Sequence, residues 1–383
     1  MSKRGRVLVA MSGGVDSSVA AVLLHQQGYE VIGITMKTWD YDSSGGRSGK
    51  EVGCCTLDSM NDARAVALSQ DFTHFVVDIR KEFGKWVIER FTDAYLAGRT
   101  PNPCVLCNTH IKWAALLHRA DDLGCEFIAT GHYARVRTEE GRHILMKGRD
   151  NNKDQSYALW GVDQAHFART LFPLGEYTKP EIRRMAADFG LLRVANKPDS
   201  YEICFVPDNN YRRFLRDRVP GLDEKVAGGQ FVMKDGTVIG NHEGYPFYTI
   251  GQRHGLDLAL GYPAYVTAID PETNTITVGP REELMKQVVV ARGLNHIKYP
   301  EIREECSATG KIRYNDEGGA CLVHGTGDDE WTVAFASPRC AITPGQALVL
   351  YEGDDVLGGG WIHSVGETAN VPGPVDGLTS VRS

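Results

Sequence analysis

Long apolar runs are missing from this 383-residue chain. No stretch approaches the ~20 residues of a membrane-spanning helix, so contact with a membrane is not expected. The opening Met1-Ser2-Lys3-Arg4-Gly5-Arg6 leads straight into an apolar strand-like segment. That leaves no room for a secretory leader and makes the cytoplasm the expected compartment. No internal repeat is present. Basic charge is in deficit, with 42 Lys and Arg against 49 Asp and Glu and a formal net charge of −7. A wholly basic nucleic-acid coat is therefore excluded, while a local basic surface is not. Cysteine is not scarce. Nine of them in a chain expected in the cytosol argue for reactive thiols, metal or core packing rather than disulfide staples. Hydrophobic content of 42% and charged content of 24% belong to a globular protein, and the length allows two or three domains.

The most informative stretch is Ser12-Gly13-Gly14-Val15-Asp16-Ser17-Ser18. It follows Val7-Leu8-Val9-Ala10-Met11, which reads as a buried parallel strand. It precedes Val19 to Leu24, which reads as a helix ending at Gly28. A Gly-rich turn between strand and helix gathers backbone N–H groups and the positive helix end around an anion. Ser12, Ser17 and Ser18 add hydroxyl donors, and Asp16 is placed to hold a magnesium ion that bridges phosphates. The turn lacks the Gly-Lys-Ser/Thr of the usual NTPase phosphate loop and the Gly-x-Gly-x-x-Gly of dinucleotide binders. It resembles instead the pyrophosphate loop of the N-type ATP pyrophosphatases, which cleave ATP between its α and β phosphates and activate an oxygen as an adenylate.

Residues 1 to about 205 alternate strands and helices, which predicts an α/β fold: a Rossmann-like parallel sheet with helices on both faces. Strands are expected at Glu30 to Met36, Thr73 to Ile79 and Glu126 to Thr130, the last ending at Gly131. Helices are expected at Asn61 to Gln70, Lys81 to Leu96, Ile111 to Leu123 and Lys179 to Phe189, the last with Pro180 in its first turn and Gly190 at its end. The Ser/Gly-rich stretch from Asp42 to Lys50 reads as a mobile loop. From about 220 glycines crowd in and short alternating runs appear, such as Thr275 to Gly279 and Trp331 to Phe335. The expected partition is a catalytic domain over 1–215, a small mostly β central domain over 216–288, a C-terminal β-barrel over 289–368 and a loose tail over 369–383.

Two cysteine sites stand out. In Thr100-Pro101-Asn102-Pro103-Cys104-Val105-Leu106-Cys107-Asn108 the prolines stiffen a loop and set both thiols at the start of the next helix. That position lowers a thiol pKa and favours the thiolate. The second site is Asp199-Ser200-Tyr201-Glu202-Ile203-Cys204-Phe205. From the residues alone, four readings of Cys104, Cys107 and Cys204 stay open. They are a persulfide relay between Cys107 and Cys204, an iron–sulfur cluster held by all three, a zinc site completed by Cys54 or Cys55, and buried thiols. Cys125, Cys306, Cys321 and Cys340 read as core residues.

Taken together, the motifs resemble the tRNA-specific 2-thiouridylase family across nearly the whole chain, from the loop to about residue 366. The resemblance rests on the loop, on Gly98 to Pro103, Cys107-Asn108, Ala129-Thr130-Gly131-His132-Tyr133 and Asn152 to Tyr157. It rests further on Asp199-Ser200 with Ile203-Cys204-Phe205, and on Tyr248 to Arg253. It implies ATP-dependent thiolation of the wobble uridine of tRNA, with ATP bound by Ala10, Met11, Ser12, Gly13, Gly14, Val15, Asp16 and Ser17, flanked by Met36 and Gly131. It implies that Cys107 is the first catalytic cysteine and that Cys204 carries the persulfide. Asn102, Pro103 and Cys104 match the segment near the target base. His132, Lys153, Asp154, Gln155, Arg313, Tyr314 and Gln346 match positions that touch tRNA. Tyr133 and Tyr157 are candidates to stack on the flipped base.

The implied cofactors are ATP and Mg²⁺, with a 4Fe–4S cluster on Cys104, Cys107 and Cys204 as the alternative. The implied partners are tRNA with a wobble uridine and a cysteine desulfurase or sulfur-relay protein as persulfide donor. Two positions depart from well-known bacterial members. Cys104 replaces an Asp, a thiol in place of a carboxylate that moves protons. Glu202 replaces a Gly, and a carboxylate beside Cys204 raises its thiol pKa. The competing enzyme class is a pyrophosphatase-type synthetase acting on a small molecule, which needs no paired cysteines. The competing non-enzyme class is a tRNA- or metal-binding module, which needs no phosphate loop.

Overall fold

The computed structural model describes residues 4–39, 56–198, 203–302, 304–325 and 329–366. The stretch 42–50, Cys54, Cys55, Asp199 to Glu202 and the tail from 369 lie outside the described residues. The chain forms two compact units, each assembled from separated segments. One comprises 1–88, 103–211 and 354–356, and the other 89–102, 212–353 and 357–383.

The first unit is built on strands β1 (Arg6–Ala10), β2 (Glu30–Lys37), β3 (Thr73–Asp78) and β4 (Phe127–Ala129), a hairpin of β5 (Ala134–Glu139) and β6 (Arg142–Lys147), and the short β7 (Thr170–Leu171). Its sheet has the order β3-β2-β1-β4-β7, and every neighbouring pair is parallel. Val7, Leu8 and Val9 of β1 are fully buried, as a central parallel strand covered on both faces requires. The chain steps outward from β1 to β3 and later returns to the other side of β1 as β4. The carboxyl ends of β1 and β4 therefore frame the switch point where such sheets bind ligands.

Helix α1 (Val15–Gln26) is buried almost all round, with Ser17 to Leu24 all inside. Helix α2 (Leu57–Ser69) begins four residues earlier than the apolar pattern suggests, because Thr56 caps it: its Oγ1 accepts the Ser59 N–H at 3.0 Å. The helix expected from Ile111 begins earlier too. A first turn, Pro103–Leu106, runs into a π-helical turn, Cys107–Lys112, and then α3 (Trp113–Asp122). The segment expected to be one helix over 81–96 is likewise interrupted by a π-helical turn at Gly84–Glu89. A π turn carries one extra residue, which hydrophobic periodicity does not register. Helix α4 (Lys179–Asp188) starts at Thr178, whose backbone N–H donates to Glu181 Oε2 at 2.7 Å.

The second unit holds a four-stranded sheet, β8 (Gly229–Val232), β9 (Val238–His242), β10 (Tyr265–Asp270) and β11 (Thr275–Gly279), in the order β10-β11-β8-β9. It also holds a closed six-stranded antiparallel barrel of β12 (Met285–His296), β13 (Cys306–Lys311), β14 (Gly319–Gly325), β15 (Glu330–Cys340), β16 (Ala347–Glu352) and β17 (Asp355–Gly366). The barrel order is β12-β15-β14-β13-β16-β17, and pairing of β17 with β12 closes it. Trp331, Phe335, Leu348 and Leu350 fill its interior. Closure leaves no free edge, which suits strands this rich in glycine. Among the described residues no helix is long and apolar enough to cross a membrane.

Candidate active site

The loop after β1 is drawn tight by its own hydroxyls. Ser12 N–H donates to Ser17 Oγ at 3.1 Å, and Ser18 Oγ donates to the Gly14 carbonyl at 2.8 Å. Ala10 and Met11 carry β1 into the loop; Met11 N–H donates to Ile34 O at 2.8 Å, and its carbonyl accepts from Thr35 Oγ1 at 2.7 Å. Met36 follows at the end of β2. Gly13 has φ +71°, and a Cβ there would lie 2.0 Å from the Ser59 carbonyl in the first turn of α2. Gly131, just past β4, is as constrained: a Cβ would lie 2.8 Å from Ser17 N. Among the described residues, a Cβ at Gly14 would meet nothing closer than Ser12 Oγ at 3.6 Å. Ala10 to Ser17 and Gly131 thus converge on the N-terminus of α1, a cradle for a polyphosphate.

Two lysines that the sequence reading overlooked complete this cradle. Lys179 Nζ donates to both carboxylate oxygens of Asp16, at 2.8 and 2.7 Å, and Tyr133 OH donates to Asp16 Oδ1 at 2.7 Å. Lys197 Nζ donates to the Gly13 carbonyl at 3.0 Å and pairs with buried Asp62, which also pairs with Arg193. The only signal was position, since Lys179 opens a helix and Lys197 precedes Pro198.

Asp16 accepts from the Lys179 ammonium on both of its oxygens and from the Tyr133 phenol on Oδ1. No group of three His, Cys, Asp or Glu side chains among the described residues is arranged to hold a metal ion. Cys104, Cys107 and Cys204 form no such group.

Cys107 opens the π-helical turn and is buried, whereas Cys104 is exposed. Cys204 is half-buried, and Phe205 beside it packs edge-on against Phe83. Of the cysteines read as core, Cys125 and Cys321 are buried, while Cys306 and Cys340 are half-buried.

The residues matched to tRNA contacts fall into two sets. His132 and Gln155 lie beside Tyr133, and Lys153 and Asp154 precede Gln155 in the turn after β6. Gln155 Oε1 accepts the Tyr133 N–H at 3.0 Å, and Asp154 accepts from Gly148 N and Ser156 N, both at 3.1 Å. His132 bonds Thr130 Oγ1 through Nδ1 at 2.8 Å, and desolvation, aided by Lys112, holds it neutral. Tyr133 and Tyr157, at 3% and 1% exposure, are packed inside and present no face to a base. In the second unit Gln346 Nε2 donates to the carbonyls of Thr100 and Pro101 at 3.1 and 3.0 Å, fixing the segment that leads to Asn102. Arg313 and Tyr314 are exposed at the end of β13. Pro103 is buried in the first helical turn before Cys104.

Comparison with known proteins agrees with this layout. Residues 5–208 match the family model of the tRNA methyl transferase HUP domain, 213–280 that of the tRNA methyl transferase PRC-barrel domain, and 286–362 that of the aminomethyltransferase beta-barrel domain. The chain is 70% identical to the tRNA-specific 2-thiouridylase MnmA of Salinibacter ruber over 97% of each chain. It is 60% identical to the proteins of that name from Amoebophilus asiaticus, over 94% of this chain and 96% of that one, and Cytophaga hutchinsonii, over 95% and 99%.

Proposed function

The chain belongs to the tRNA-specific 2-thiouridylase family, and from that premise we propose that it uses ATP to replace oxygen 2 of the wobble uridine of tRNA with sulfur. The observation that carries this reading is 70% identity to a tRNA-specific 2-thiouridylase over 97% of both chains. The loop at the switch point supports the first half of the chemistry. Oxygen 2 of the uracil attacks the α-phosphate of ATP, the bond from the α-phosphorus to the bridging oxygen breaks, and pyrophosphate leaves into the amides of Gly13 and Gly14. Donors fixed in advance around the departing charge stabilise that step.

Carbon 2, now an adenylate, is electrophilic. A cysteine desulfurase or relay protein supplies a persulfide sulfur to Cys204. The terminal sulfur reaches carbon 2 and AMP departs with the oxygen. The Cys107 thiolate attacks the Cys204 sulfur, either releasing hydrosulfide for the attack on carbon 2 or freeing the sulfur already bonded there. Both routes leave a Cys107–Cys204 disulfide that an external dithiol reduces. Asn102, Pro103 and Cys104 are assigned to the surroundings of the target base, and Lys153, Arg313, Tyr314 and Gln346 to the tRNA. On this reading residues 1–215 form the catalytic domain, 216–288 the central domain and 289–368 the barrel.

The test is sulfur incorporation into unmodified tRNA bearing a wobble uridine, with ATP, magnesium and a persulfide donor, read by nucleoside mass spectrometry. ATP-dependent 2-thiouridine is expected. AMP and pyrophosphate without thiolated tRNA, after the donor has been varied, would move the assignment to a small-molecule synthetase.

A further inference from the structure

Gly13 and Gly14 share one peptide, and its carbonyl is held from outside the loop. The Gly13 carbonyl accepts from Lys197 Nζ at 3.0 Å. In a planar trans peptide the carbonyl and the following N–H point to opposite sides. Lys197 on one side therefore sets the Gly14 N–H on the other, and among the described residues that N–H has no hydrogen-bond partner. Glycine on both flanks, Gly13 at φ +71° and Gly14 at φ −92°, lets this peptide turn over at little steric cost. The next peptide needs no outside help: the Gly14 carbonyl accepts from the Ser17 and Ser18 hydroxyls at 3.3 and 2.8 Å.

Lys197 is itself anchored. Its ammonium pairs with Asp62 of α2, whose carboxylate is 1% exposed and also pairs with Arg193 Nε at 2.5 Å. A carboxylate this buried is costly unless paired, so Asp62 keeps the ammonium at one point. The same helix backs the loop directly, since a Cβ on Gly13 would lie 2.0 Å from the Ser59 carbonyl. Helix α2 thus fixes Gly13 twice, once through Ser59 and once through Asp62 and Lys197. We propose that Lys197 is a positioning residue of the adenylation step, holding the Gly13–Gly14 peptide so that the Gly14 N–H faces the leaving pyrophosphate. Lys197 touches no reacting atom and exchanges no proton. As the bond from the α-phosphorus to the bridging oxygen breaks, charge gathers on pyrophosphate, and a donor already turned toward it needs no reorganisation. This rests on the ATP pyrophosphatase reading above.

The test is calorimetric titration of the full chain with inorganic pyrophosphate and, separately, with adenosine, so that turnover plays no part. Beside it, the Gly14 amide proton is followed by NMR in glycine-labelled protein. Gly14→Ala identifies that resonance by removing it, and its Cβ would stand 3.6 Å from Ser12 Oγ, in ordinary contact. In the wild-type chain the proton is expected to move downfield when pyrophosphate is added. Lys197→Met is expected to lose that movement and to weaken pyrophosphate binding about tenfold or more, a factor that high salt does not erase. Adenosine affinity is expected to change by less than about twofold. Should Lys197→Met fail to fold beside Asp62, Asp62→Asn against Lys197→Met/Asp62→Asn makes the same comparison without the buried charge. If the Gly14 proton still moves without Lys197, or the affinity loss vanishes at high salt, Lys197 acts only through its charge and the inference is overturned. Pyrophosphate binding to the wild-type chain with no movement of that proton overturns it too, and leaves the loop reading standing. If the wild-type chain binds neither pyrophosphate nor ATP, the ATP pyrophosphatase reading falls, and this inference with it.

Discussion

Sulfur transfer needs a nucleophile that is reactive and a neighbour that is not, and the side chains around the loop differ in those terms. Cys204 is half-buried, whereas Cys104 is exposed in the short helical turn that leads to Cys107. Cys204→Ser is expected to abolish 2-thiouridine formation, by at least about a hundredfold, with tRNA affinity unchanged in a filter-binding assay. Full activity in that variant would remove the persulfide route. The histidines carry a second expectation. His74 shares Nε2 with Thr35 Oγ1 at 2.9 Å, while its buried Nδ1 has no hydrogen-bond partner among the described residues. Burial pushes both His74 and His132 below the ordinary 6.5. The unfolded chain therefore binds more protons than the native one below that value. Stability is fully present above pH 6.5 and falls on acidification, by about 1 kcal/mol per pH unit for a ring that stays neutral. The urea midpoint is expected to drop between about pH 7.5 and about pH 5.5, and His132→Asn to shallow that drop. An equal drop in the variant would show that His132 does not govern it. At this scale the strand–loop–helix turn at Ser12–Ser18 was readable because its glycines and serines announce themselves in the sequence. Lys179 and Lys197 were not, since a lysine joined to an acid 163 or 135 positions away looks like any surface charge.

Elements place those residues, and they were readable in proportion to how local their determinants are. The apolar run of β1 and the cap at Thr178 act over a few positions, and both elements lie where patterning puts them. The hairpin of β5 and β6 turns on Glu140 and Gly141, both at positive φ, a signal present in the sequence but unread beside the stronger motifs. The π turn from Cys107 to Lys112 has no local signature at all. It is set by what the helix packs on, including the bond from Asn108 Nδ2 to the Ala158 carbonyl at 2.8 Å. The join between elements also decides the loop. Gly131 follows β4 and lies against the first turn of α1, where a methyl group would sit 2.8 to 3.0 Å from Ser17 N, Asp16 C and Ser17 Cα. Backbone on both sides cannot yield as a side-chain tip can. Gly131→Ala is expected to cost about 1–3 kcal/mol in urea unfolding and to weaken pyrophosphate binding with it. Wild-type affinity with unchanged stability would mean that β4 and α1 tolerate separation.

On the scale of the whole molecule, the least legible feature is that each compact unit is discontinuous. Residues 89–102 join the second unit although flanking sequence on both sides joins the first, because Thr100 N–H donates to Pro344 O at 3.1 Å and Gln346 holds the neighbouring carbonyls. Pairing across some 245 positions leaves no periodic trace in a single sequence. This has a functional consequence: the barrel's Gln346 fixes the chain that leads to Asn102, so one barrel residue positions backbone while another, Arg313, is exposed where it can meet an anion. The net charge of −7 makes such isolated cations matter, since the bulk of the surface repels a polyanion. Each phosphate contact releases counterions, so its loss lowers the slope of log affinity against log salt by about 0.7 to 0.9. Arg313→Ala is therefore expected to weaken tRNA binding uniformly across sequences and to reduce that slope by about 1. Gln346→Ala loses no charge, so it is expected to leave the slope unchanged while slowing thiolation through a loosened Thr100–Pro101 segment. Filter binding over a salt series checks both. A slope that fell equally in the two variants would show that the barrel acts as a single electrostatic face and not through separate holding and contacting residues.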